Sequence, residues 1–104
     1  MKTNDAGEIL TIPVEETLKQ RGNRYGEFSS HAKCSQQLKQ VLYGHLQSHN
    51  QRKLEPYMVE ALDMIVHKLA RIANGDPFYD DNWRDIAGYS QLVVNELNKK
   101  DSDV

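Results

Sequence analysis

The strongest constraint on this chain is one stripe of apolar residues at helical spacing. Leu54, Met58, Ala61, Leu62, Ile65, Leu69 and Ile72 recur every three or four positions across about five turns. A helix of that kind must bury the stripe against other elements, and no segment alternates apolar and polar residues for long enough to offer a strand. The partners must therefore be helices. Pro56 is tolerated in the first turn of this element, and Asn74-Gly75-Asp76-Pro77 ends it, since Gly suits the position after a helix and Pro cannot extend it.

Three other segments carry the same period. Thr11, Pro13, Glu15 and Glu16 form a helix start, with Val14, Thr17 and Leu18 as its apolar side and Gly22 as its expected end. A second helix is expected from about Phe28 to Leu46 on the recurrence of Phe28, Ala32, Ser35, Leu38, Leu42 and Leu46, followed by a polar connection from His45 to Lys53. A fourth begins at Asp80 or Asp81 and runs to about Asn98, with Trp83, Ile86, Val93, Val94 and Leu97 inward. The fold class is all-α, an antiparallel helical bundle of three long helices plus a short N-terminal one. Residues 1–10 are expected to fray, 11–98 to form the helical domain and 99–104 to be a disordered tail. Between the first two helices, residues 21–26 (Arg-Gly-Asn-Arg-Tyr-Gly) have turn chemistry and carry two guanidiniums and a phenol.

Composition narrows the function classes. A chain of 104 residues has room for one core. Thirteen basic against 15 acidic residues leave a net charge of -2, so nucleic acid is not a favoured partner. The single Cys34 forms no internal disulfide, and neither a leader-like start nor a membrane-length apolar run is present, so a cytoplasmic protein is expected. The four histidines lack the cysteine pair that would suggest structural zinc. Gly22 and Gly26 lack the following Lys-Ser/Thr of a phosphate-binding P-loop.

Chemistry could reside on the third and fourth helices. Glu60, Asp63, His67 and Arg71 share one stripe, which taken alone reads as a solvated charged face. On the fourth helix Asp81, Asp85, Tyr89 and Leu92 share a stripe beside the apolar seam, so Asp85 is flanked by residues that favour burial. Two readings follow for Asp85. It is either an ion-pair partner of Lys68, Arg71 or Arg24, or a ligand of a metal or substrate. In the second reading Glu60 and Asp63 face Asp81 and Asp85 across the helical hairpin and hold Mg²⁺, while Arg24, Tyr25, Lys68 and Arg71 engage a phosphorylated substrate. Arg21 could add charge, and Tyr25 and Phe28 could stack on a base. Met64 on the polar side of the third helix, together with the small core of three helices, implies a homodimer.

The stretches Arg24-Tyr25-Gly26-Glu-Phe28, Glu60 to Ile72, Gly75-Asp76-Pro77 and Asp85-Ile-Ala-Gly88-Tyr89 resemble a family of small phage and prophage proteins. Lys-x-x-Arg-Ile followed by Asp-x-x-x-Asp-Ile-x-Gly-Tyr is also similar to phage nucleotide-modification-associated domains, and more distantly to MazG-like all-α nucleoside triphosphate pyrophosphohydrolases. That resemblance implies a MazG-like bundle in a bacterial host's cytoplasm, a nucleotide ligand, Mg²⁺ on helix-borne acids and cleavage between the α- and β-phosphates. Glu60-x-x-Asp63 matches the shorter MazG motif, whereas Glu15-Glu16 is followed by Lys19 in place of a third acid, and Asp81 and Asp85 are spaced by four. The alternative is a non-enzymatic accessory module that binds a host or phage protein.

Overall fold

A computed structural model describes residues 13–102. Four helices make up its regular structure, α1 (Val14–Tyr25), α2 (Phe28–His49), α3 (Pro56–Asn74) and α4 (Asp80–Ser102), with no strand among the described residues. The expected frayed start lies outside the described residues, save that Pro13 caps α1. At the other end α4 continues four residues past Asn98, to Ser102. No helix among the described residues is long and apolar enough to cross a membrane.

The α3 stripe behaves as its period demands, and α3 is the only helix that touches all the others. Along one edge Asp63, His67 and Asn74, separated by four and seven residues, meet Tyr43, His31 and Ser30 of α2. On the opposite edge Lys68 meets Asp85 of α4. The α2 pairings run in opposite sequence order, and on the α4 side Glu60 and Ala61 share a groove with Leu92 and Val93 while Lys68 reaches Asp85, so both neighbours are antiparallel to α3, as the short connections of residues 50–55 and 75–79 require. Helices α2 and α4 do not touch among the described residues. The three long helices therefore form a row, with the C-terminal part of α1 set against α2 and α3.

A row is thin. The molecule measures 57 × 33 × 23 Å with a radius of gyration of 18.2 Å, against about 13 Å for a compact chain of this length. Among the described residues only Ala61, Val66 and Ala70 are buried apolar residues. The dry centre also holds His31, Ser35, Lys68 and Asn82.

Two glycines join α1 to the far end of α3. Gly26, at φ 86°, follows α1, and a β-carbon there would fall onto the Asn74 carbonyl. A β-carbon on Gly75 would fall onto the backbone of Arg24 and Tyr25. The Asp76 amide donates to the Arg24 carbonyl at 2.7 Å, so the α1–α2 turn and the α3–α4 turn meet backbone to backbone. The expected stop at Gly22 is overtaken because this contact and the stacking of Arg24 and Tyr25 carry α1 through Tyr25 to Gly26.

Candidate functional site

The place where α1 crosses α2 and α3 gathers cations, aromatic rings and imidazoles. The Arg71 guanidinium lies 4.0 Å from the centroid of the Tyr25 ring, and Arg21 lies 5.2 Å from the same ring. Arg24 sits 4.2 Å from the Tyr79 centroid, and the two phenol rings are 6.1 Å apart. Arg21 and Arg24 are spaced three apart on α1, so they fan out on one side of it, while Tyr25 at i+4 from Arg21 fills the space between. None of these three arginines is bridged to a carboxylate among the described residues. Burial lowers the Arg71 pKa, with Tyr25 and Asp85 acting against that and Arg21 adding to it.

Beneath the guanidiniums lies a cavity of about 600 Å³ lined by Leu18, Arg21, Tyr25, Phe28, His31, His67 and Arg71, with Gly22, Gly26 and Glu27 completing the wall. Phe28 stands at its rim with 78% of its surface exposed. The floor is an imidazole pair. His31 Nε2 and His67 Nδ1 are 3.3 Å apart, with the rings nearly perpendicular. Burial and the Arg71 charge hold the His31 pKa below its ordinary value, and the same burial, with Arg71, His31, Lys68 and Lys39 around it, brings His67 down to about 4. Both rings are neutral at pH 7, and their positive neighbours keep them so.

The expected carboxylate cluster does not assemble. Lys68 Nζ is 2.9 Å from Asp85 Oδ2, which fixes the register of α3 against α4. Glu60 precedes Lys68 by eight residues and so lies about 12 Å farther along α3, where it shares a groove with Leu92 and Val93. Asp63 points to the other edge and accepts the Tyr43 hydroxyl at 2.5 Å. Burial and that carboxylate raise the Tyr43 pKa. Asp81 accepts the Tyr79 hydroxyl at 2.8 Å. Among the described residues no three His, Cys, Asp or Glu side chains come together in a set that could hold a metal ion. An antiparallel hairpin pairs the start of one helix with the end of the other, so acids near both starts cannot face each other. The structure places Glu60 and Asp63 away from Asp81 and Asp85.

Of the residues expected on the substrate, Arg24, Tyr25 and Arg71 do converge. Lys68 does not join them as a free cation: it is the ion-pair partner of Asp85, with its own side chain 11% exposed and that of Asp85 47% exposed. The sequence reading passed over His31. Its signal was available, because residue 31 shares a helical face with Ser35, Leu38 and Leu42 and therefore faces α3.

A family model described as a domain of unknown function, DUF6378, matches residues 8–97. The chain belongs to that family. The match spans α1 to α3 and most of α4, so the arginine–tyrosine cluster and the imidazole pair both fall inside the DUF6378 unit. No curated protein and no solved structure matches the chain.

Proposed function

We propose that the chain binds a phosphorylated, nucleotide-like ligand in the cavity under α1. The observation that carries this is the set of three guanidiniums, Arg21, Arg24 and Arg71, held around Tyr25 and Tyr79 with no bridging carboxylate among the described residues. Guanidiniums match phosphate oxygens in charge and in bidentate geometry. Stacking on the phenols fixes the planes of Arg71 and Arg24, so less freedom is lost when a phosphate arrives.

The remainder of the cavity suits the other half of such a ligand. Phe28 offers an open ring at the rim, Leu18 an apolar wall, and the neutral imidazoles a polar floor able to donate or accept. A volume of about 600 Å³ is in the range of small-molecule sites.

For Mg²⁺ the residues do not fit as expected. Glu60 and Asp63 stand away from Asp85, and Asp85 is engaged by Lys68. The proposal is therefore recognition by cations and rings. Pyrophosphate cleavage has no assembled acid set behind it in this arrangement, whereas binding needs only the groups already in place.

Calorimetric titration with nucleoside mono-, di- and triphosphates, each with and without Mg²⁺, tests this. The expected result is binding that does not require Mg²⁺, weakens as salt rises and is lost in Arg71→Gln with the helical content intact. Absence of heat with every nucleotide, or equal affinity in Arg71→Gln, would overturn it.

A further inference from the structure

Among the described residues nothing lies over the face of the helical row opposite α1. On α3, Leu62, Leu69 and Ala73 point to that side, a quarter-turn from the edges that meet α2 and α4. The same construction on the flanking helices puts Cys34, Leu38 and Val41 of α2 and Trp83, Ser90, Val94 and Leu97 of α4 on that side, and a groove lined by Met58, Leu62, Ile65 and Ser90 follows the α3–α4 seam. Leu38, Val41, Leu69, Trp83, Val94 and Leu97 are between 37% and 64% exposed. No charged residue falls on this side between Cys34 and Val41, between Pro56 and Asn74, or between Trp83 and Asn98. The α1 face differs, since Glu60, Arg71 and Asp85 all lie there.

We infer that this apolar face is a twofold interface at which a second copy of the chain packs row against row. Three observations favour a second copy over any other occupant. Among the described residues only Ala61, Val66 and Ala70 are buried apolar residues, a small core to set against the entropy of ordering four helices, so a cover that is always at hand, as a second copy is, favours the folded state. Helices of 19 to 23 residues run about 30 Å each, and three of them side by side offer roughly the 800 Å² per partner of a stable interface. An uncharged patch can oppose itself across a twofold axis without like-charge repulsion, which a patch bearing one sign of charge cannot. The site of contact is thus the face opposite Met64, the residue on which the sequence expectation of a dimer rested. Packed this way, the two arginine-lined cavities open outward on opposite sides, and dimerisation leaves ligand access untouched.

The chain's single tryptophan lies on this face and reports on it. Trp83 donates its indole N–H to the Pro77 carbonyl at 2.8 Å, which holds the ring in place at the surface of one copy. In the full chain, sedimentation at tens of micromolar is expected to give twice the 12.0 kDa of one chain, and dilution should red-shift the Trp83 emission as the mass falls. Leu69→Glu and Val94→Lys are expected to give the single-chain mass with helical content retained, while Leu92→Glu, on the α1 face, stays dimeric. A single-chain mass at every concentration with constant Trp83 emission would overturn the inference and give the face to a different protein. A dimer that survives both substitutions would overturn it as well. Should those variants fail to fold, the concentration dependence of Trp83 emission in the unaltered chain decides alone.

Discussion

The two faces of the α2–α3–α4 row are made by the same helices and differ in almost every physical respect. One carries α1, three guanidiniums, two phenols and an imidazole pair around a cavity. The other carries leucines, valines and a tryptophan, with no charge across its central span. The difference shows how a helix with neighbours on two opposite edges is divided. Its edges set the fold through Asp63, His67 and Lys68, and its two other faces differ in chemistry, one polar, which we propose holds a small ligand, and one apolar, which we propose meets a second copy.

The largest effect is expected where α1 is fixed to its face. Gly26→Ala places a β-carbon on the Asn74 carbonyl at a residue with φ 86°, at a cost of about 3 kcal/mol. Denaturant unfolding should show that loss together with loss of nucleotide binding. Gly22→Ala, in open space inside α1, is expected to stabilise by roughly 0.5 to 1 kcal/mol. If the two substitutions behaved alike, the backbone contact would not be what holds α1 down.

Arg71→Ala comes next. Losing a half-buried cation that would hold a phosphate should weaken nucleotide affinity by about 10- to 100-fold, measured by titration calorimetry, while leaving the dimer mass unchanged. Unequal treatment of the two properties is the point, since one residue should serve one face only.

Lys68→Met tests an edge. The Lys68–Asp85 pair is buried on the lysine side and half open on the aspartate side, so its loss should cost about 1 to 2 kcal/mol, between the values for buried and exposed pairs. Asp85→Asn should destabilise comparably in EDTA and in Mg²⁺. A melting point of the native chain that rose steeply with Mg²⁺ alone would restore a metal role for Asp85.

The smallest effect is the pH dependence of the imidazole pair. His67 titrates near 6.5 in the unfolded chain and at about 4 in the folded one, so the folded state binds fewer protons between those values. The contribution is fully present above about pH 6.5, erodes as pH falls and is lost below about pH 4. Melting temperatures from pH 7.5 to 4.5 should fall in the native chain and fall less in His67→Gln.

The helices were legible because their apolar periods are long, and α3 was legible best because its stripe spans the whole element. The end of α1 was not. A glycine at position 22 and an asparagine at 23 read locally as a turn, and only contacts with residues some fifty positions away explain why the helix continues. The ligand cluster was half legible, since Arg24, Tyr25 and Arg71 carry their chemistry in their side chains. The relative placement of the acids was not legible, because spacing within one helix gives a face but not the register between two, which appears in contacts such as Lys68–Asp85.

The backbone clasp between Arg24 and Asp76 also orders events in time. The α3–α4 hairpin closes over a handful of residues, whereas the clasp joins positions 52 apart, and short loops close first. During synthesis α1 leaves the ribosome first, yet its seat does not exist until the α3–α4 turn has followed it out. The cavity is therefore completed only after the α3–α4 turn has formed, although α1 was made first.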